Sequence, residues 1–94
     1  MAVYRITRFT SSDADKAISM AEGAREEVAA AGADFIDIVM DDDGNGVVVA
    51  KYPDAATVEV ATAVAMGVFG KMIAEGAIDA DSIDVWAGNV VASI

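Results

Sequence analysis

Residues 35–52 read FIDIVMDDDGNGVVVAKY, two apolar, β-branched runs on either side of an acidic, glycine-containing stretch. How the middle is read decides the fold. Asp41, Asp43, Asn45 and Gly46 match the opening half of a calcium-binding EF-hand loop, D-x-[DN]-x-[DN]-G. Such a loop needs a helix on each side and a bidentate glutamate at its twelfth position. Counted from Asp41, the twelfth residue is Tyr52, and the flanks are rich in valine and isoleucine. Aspartate favours tight turns, and glycine and asparagine tolerate positive φ, so the same residues suit a hairpin connection. The stretch is therefore read as strand, turn, strand, with no metal site.

The rest of the chain extends this plan. Residues 2–10, AVYRITRFT, alternate between β-branched or aromatic and smaller or polar side chains and predict a first strand. Ser11, Ser12 and Asp13 are N-cap candidates, with Asp15 three residues after Ser12 as a capping-box acid. Over residues 13–31, Ala17, Ile18, Ala21, Ala24 and Val28 recur at helical spacing. Lys16, Glu22, Arg25, Glu26 and Glu27 form the wet face, and Gly32 is the stop. After the hairpin, Pro53 ends the third strand and Asp54 caps a helix over residues 55–75. Its core stripe is Val58, Ala61, Ala65, Val68, Phe69 and Met72. Residues 84–93, DVWAGNVVAS, are the last strand. The order β-α-β-β-α-β predicts one α+β domain over residues 1–94, ferredoxin-like, with a four-stranded antiparallel sheet in the order 4-1-3-2 and two helices on one face.

Composition excludes several functions. Sixteen acidic residues against six basic ones give a net charge of −10, a field that repels nucleic acid and anionic membranes. Cysteine is absent, so disulfides, thiolate nucleophiles and zinc-thiolate sites are excluded. Histidine is absent too, which removes the Ser-His-Asp and Cys-His arrangements, the HExxH metal site and a histidine haem ligand. The start, MAVYRITRF, carries two arginines and no apolar run of the kind that directs secretion. The longest uncharged stretch, residues 60–70, is eleven residues, where about 20 are needed to span a bilayer. A cytoplasmic location is expected.

Both faces of the sheet are apolar. Alternate strand residues point to opposite sides. Ile36, Ile38 and Met40 share one face of the second strand, and Phe35, Asp37 and Val39 the other; in the third strand Val48, Ala50 and Tyr52 alternate with Val47, Val49 and Lys51. Four strands make a surface roughly 20 Å wide. Two helices, each ~10 Å across, cover one such face. Leaving Phe35, Val39, Val47 and Val49 in water would forgo on the order of 6–12 kcal/mol, comparable to the whole stability of a small domain. A homodimer through the open sheet face is the expected solution. On the second helix, Val60, Val64 and Met66 lie off the core stripe, and Gly67 and Gly70 permit a close backbone approach. A dimer contact and tight packing within the protomer both remain open for that face.

The chain resembles the dimeric α+β barrel proteins, in the broad group that includes the antibiotic biosynthesis monooxygenase-like domains. The resemblance lies in the element order, the length, the YPDAAT lead into the second helix (Tyr52 to Thr57) and the ending DVWAGNVVASI. It implies two sheets closing a barrel across a dimer, with a ligand cavity between each sheet and its helices or the partner. Some relatives oxidise phenolic or polyketide substrates without metal or flavin, so no cofactor is implied. Others degrade haem with a histidine ligand that this chain lacks. No catalytic motif transfers residue by residue.

Polar groups on otherwise apolar strands are the candidate site. Arg5 and Thr7 share a face of the first strand, Asp37 interrupts the second, Lys51 the third, and Trp86 and Asn89 lie on opposite faces of the last. Arg5 or Lys51 could hold an anionic substrate or developing oxyanion charge. Asp37, if desolvated, would be a proton acceptor of raised basicity. Trp86 and Tyr52 could stack on a flat aromatic ligand, with Asn89 a further ligand contact. Structural roles compete: an Asp37–Lys51 ion pair, Arg5 paired with a partner's carboxylate, Trp86 in the core. Two functional readings follow. One is a cofactor-free, monooxygenase-like enzyme acting on a small aromatic or enolisable molecule. The other is a non-catalytic homodimer that binds a small ligand or another protein.

Overall fold

A computed structural model describes residues 2–94. Its elements run β1 (Val3–Thr10), α1 (Ala14–Gly23), α2 (Arg25–Ala29), β2 (Phe35–Met40), β3 (Asn45–Tyr52), α3 (Ala55–Ala74), a 3-10 turn (Ala80–Ser82) and β4 (Asp84–Asn89). The strands pair in the order β2-β3-β1-β4, every pair antiparallel, as the sequence predicts.

The acidic stretch is a turn between strands. Asp41 Oδ1 accepts hydrogen bonds from the backbone N–H groups of Asp43 and Asn45, both at 2.9 Å, and Oδ2 accepts from Asn45 Nδ2 at 3.1 Å. These bonds, the Asn45 side chain foremost, hold the Asp41 carboxyl below the ordinary aspartate value. Gly44 takes the left-handed conformation at φ +85 that a tight turn requires. Its carbonyl accepts from Ser11 N–H at 2.8 Å, which ties the hairpin to the end of β1.

Both longer helices start on an aspartate cap. Asp13 accepts from Lys16 N–H at 3.1 Å, so the cap is Asp13 itself and not a Ser12–Asp15 box. Asp54 accepts from the Thr57 N–H at 2.8 Å and from its hydroxyl at 2.7 Å. The helix expected over residues 13–31 is broken at Ala24, whose N–H is shared between the carbonyls of Met20 and Ala21. That tightening follows Gly23, a poor helix former, and splits the segment into α1 and α2. β4 ends at Asn89, earlier than residue 93 and opposite Val3, the first residue of β1; Val90 N–H continues the pairing to Ala2 C=O at 2.9 Å.

The register sorts the side chains. Val3, Arg5, Thr7 and Phe9 face the helices, opposite Tyr52, Ala50, Val48 and Gly46 of β3. Ala61, Ala65, Phe69 and Met72 of α3 close over them, with Ala77 and Ile78 completing the core. α3 is long and apolar enough to cross a membrane by length and composition alone; four of its residues, Ala61, Ala65, Phe69 and Met72, are buried against the sheet. Val60 and Met66 lie exposed on its outer side, and a Cβ at Gly67 or Gly70 would meet nothing, so these glycines do not serve tight packing inside the protomer.

Phe9 lies flat over Gly46, its cross-strand partner, and a Cβ at Gly46 would run into the ring. Phe9 is itself packed in the core, so its ring has little room to move. Gly46→Ala is expected to destabilise the fold by about 1–3 kcal/mol through overpacking. Urea unfolding checks this as a lowered midpoint with an unchanged slope; an unchanged midpoint would contradict the packing described.

Candidate ligand cavity

β1 places the centre of the site. Its inward parity carries Arg5 beneath α3, where the residue is 3% exposed. Nη1 donates to Thr62 Oγ1 at 2.9 Å, and the guanidinium lies 5.2 Å from the centre of the Tyr52 ring. Thr62 is oriented for this contact, because its own hydroxyl donates to Val58 C=O at 2.7 Å and leaves a lone pair toward Arg5. Among the described residues no carboxylate comes within 4.0 Å of Arg5; the one ion pair at that distance is Lys16–Glu75, on the surface.

Three buried polar atoms here lack partners: Arg5 Nε, Thr7 Oγ1 and Tyr52 Oη. Buried polar groups are almost always hydrogen-bonded, and an uncompensated buried ion costs on the order of several kcal/mol. The Thr62 bond and the cation–π contact, the latter about 0.5–2 kcal/mol, offset part of that. Burial raises the Tyr52 hydroxyl above its ordinary value, and the Arg5 charge opposes this more weakly. Tyr52 is thus a neutral hydrogen-bond donor.

Arg5 is among the residues that line a cavity of about 690 Å³ between the helices and the sheet. Its walls are apolar: Phe9, Ile36, Ile38, Met40 and Val48 from the strands, Ala17, Ala21 and Val28 from α1 and α2, and Val68, Phe69 and Met72 from α3. The small residues of α1 leave space that larger ones would fill. Glu22, Arg25 and Asp34 also border the cavity; all three are exposed.

The six sequence candidates divide by parity. Arg5 and Tyr52 meet on the helix face. Asn89 is in register with Val3, two strands from Tyr52 on the same face but exposed at the β4 edge. Asp37, Lys51 and Trp86 lie on the opposite, open face. Asp37 is exposed and unpaired with Lys51, its diagonal neighbour, while its strand also borders the cavity. Trp86 is 62% exposed and lies over Gly88, so it is not a core residue. Arg5 points to its own helices and away from any chain covering the open face. Thr62 was not among the candidates; a threonine hydroxyl in the middle of an alanine- and valine-rich helix, beyond the capping turn that Thr57 serves, is the signal that marks it.

With this geometry, the comparisons with known proteins fit the fold. No protein-family profile matches the chain, and no curated protein matches it. Solved structures do. SnoaB, a cofactor-independent oxygenase from Streptomyces nogalater, superposes with a TM-score of 0.77 at 14% identity, covering 99% of this chain and 96% of its own. NE2512, a protein of unknown function from Nitrosomonas europaea, gives 0.79 at 9% identity, with 99% and 92% covered. A dimeric ferredoxin-like protein from an uncultured marine organism gives 0.67 at 15% identity, with 99% and 90% covered. At these identities the likeness establishes the fold alone, a ferredoxin-like four-stranded antiparallel sheet with its helices on one face.

Tyr52 sets an alkaline prediction. Its folded-state value lies above the ordinary 10.0, so between the two the unfolded chain has lost the proton and the folded chain keeps it. The contribution is fully present below pH 10.0 and is lost as pH rises toward the folded-state value. Tyr52→Phe cannot titrate, so the stability gap between wild type and variant should move against wild type above that pH. Urea unfolding across alkaline pH measures it, and a gap independent of pH would refute it.

Proposed function

We propose that the chain is a homodimeric α+β barrel protein that binds a small, flat, largely apolar molecule in the cavity beneath α1 and α2. Its proposed activity is cofactor-free oxidation of an aromatic or enolisable substrate by dioxygen. The cavity carries this reading. Its volume of about 690 Å³ is that of a small-molecule site, with largely apolar walls and the buried Arg5 among the residues that line it. An enolised substrate supplies its own electrons, so a CH₂ centre can become C=O with one oxygen atom retained and the other leaving as water. In this proposal Arg5 stabilises the oxyanion and Tyr52 flanks it. Asp37 borders the cavity from β2 with its side chain on the open face, so as the proton acceptor of this proposal it acts from the rim, through water. Lys51 and Trp86 belong between paired sheets, and Asn89 to the rim at β4.

A second reading, ligand binding without turnover, is favoured by one observation. The carboxylates bordering the cavity, Glu22, Asp34 and Asp37, are all exposed, so none is a base held away from water. Oxygen-uptake measurements with quinol-like substrates separate the two. Turnover that falls at least about tenfold, ~1.4 kcal/mol in barrier, in Arg5→Met supports the enzyme. Saturable binding without oxygen uptake supports the second reading.

The open sheet face supports the dimer. Tyr4 and Phe35 pack edge to face over Lys51 at 6.1 Å between ring centres, flanked by Ile6, Val47 and Val49 and by exposed Val39 and Trp86. Among the described residues no helix lies on that face of the sheet. The compact α+β fold is that of a soluble protein, and a cytoplasmic setting is part of the proposal. Sedimentation at micromolar concentration is expected to find a dimer, and Val49→Asp, which sets a second carboxylate opposite Asp37, is expected to dissociate it. A folded wild-type monomer would overturn the dimer.

A further inference from the structure

We propose that the cavity selects organic anions, and specifically molecules with an aromatic or aliphatic body and one carboxylate, held by the Arg5 guanidinium. This rests on the reading of the cavity as a ligand site and names the class of ligand it takes. The chain has six basic residues and sixteen acidic ones, yet one of the six is buried with no acid beside it. A guanidinium is permanently charged and presents its donors as a planar fork that matches a carboxylate bidentately. In Arg5 one branch, Nη1, is taken by Thr62, while Nε has no partner.

Thr7, two residues along β1 on the same face, and Tyr52, beneath the guanidinium, hold buried, unpartnered hydroxyls but do not line the cavity, so of the three Arg5 is the one that meets a ligand there. The arginine lines a cavity whose buried walls are largely apolar, which suits a molecule with one charged group on a greasy body. A partner chain on the open sheet face cannot supply the missing charge, because β1 parity turns Arg5 away from it. The rim carries three exposed acids, Glu22, Asp34 and Asp37, against one base, Arg25, a balance that disfavours multiply charged anions more than a single carboxylate.

The experiment compares 2-naphthoate with its neutral isostere 2-naphthamide by titration calorimetry, on wild type, Arg5→Met and Arg5→Lys. Wild type is expected to bind the acid at least about tenfold more tightly than the amide, ~1.4 kcal/mol. Arg5→Met should lose that preference while still binding the amide, and should melt no lower than wild type without ligand, since it removes an uncompensated buried charge. Arg5→Lys, which keeps the charge but not the fork, should bind the acid less tightly than wild type. Equal affinity of wild type for acid and amide would overturn the anion assignment and leave the cavity reading standing. Failure of wild type to bind either compound would overturn both. If Arg5→Met does not fold, the wild-type pair and Arg5→Lys still decide.

Discussion

β1 is the constraint on which the structure depends. It lies between β3 and β4 with both edges paired, so each of its eight residues is committed to one of two faces. Its two arginines differ in parity. Arg8 takes the open face, opposite Asp84 and Val47, and Arg5 takes the face under α3. A slip of one residue would exchange them and send Phe9 out of the core. Phe9 over Gly46 guards against that slip, since the β3 positions flanking Gly46, Asn45 and Val47, both carry a side chain where the ring needs none.

The burial of Arg5 is a matter of arrangement more than of strength. Its partners are a threonine hydroxyl already oriented by its own helix and the face of a neutral tyrosine. Tyr52 reaches its fully buried position because its neighbours in the second core patch, Ala50 and Ala61, are small. Neither partner carries a negative charge, and a guanidinium offers more donors than they accept. The site is therefore stabilised enough to hold its shape and remains electrostatically unfinished. A polar arrangement of this kind lowers the stability of the empty protein, which is the usual condition of a preorganised binding site.

The element order, the strand order, the helix stripe and the turn were legible in the sequence because each rests on a local rule. The 3.6-residue period of Ala61, Ala65, Phe69 and Met72 identifies one helix face, and Asp54 before it identifies the start. The opening acidic motif was resolved by what flanks it. The site was less legible, because parity within a strand is local but the face toward which it points is tertiary. Arg5 and Thr7 could be put together from spacing alone, and Trp86 and Asn89 kept apart. That Arg5 and Tyr52 share a face, while Lys51, the residue next to Tyr52, does not, required the pairing of Val3 with Tyr52. Thr62 depends on the rotation of α3 over the sheet, which no pattern within the helix sets. The break at Ala24, which shapes one wall of the cavity, follows from carbonyl sharing that a regular periodicity conceals.

One sheet serves both faces, and this joins the cavity to the open surface. β2 is an edge strand, paired only with β3, and its helix-side residues Ile36, Ile38 and Met40 line the cavity. Its other residues, Phe35, Asp37 and Val39, belong to the open face, where Phe35 is held by Tyr4 across β3. Movement of β2 therefore changes both surfaces at once. Alone, the strand has one ladder of hydrogen bonds and a half-covered pair of rings to hold it. Covering the open face would fix Phe35 and Val39 and, through the same backbone, the cavity wall behind them. The alternating geometry that gives the sheet two apolar sides thus makes the shape of the pocket depend on what lies against the far side.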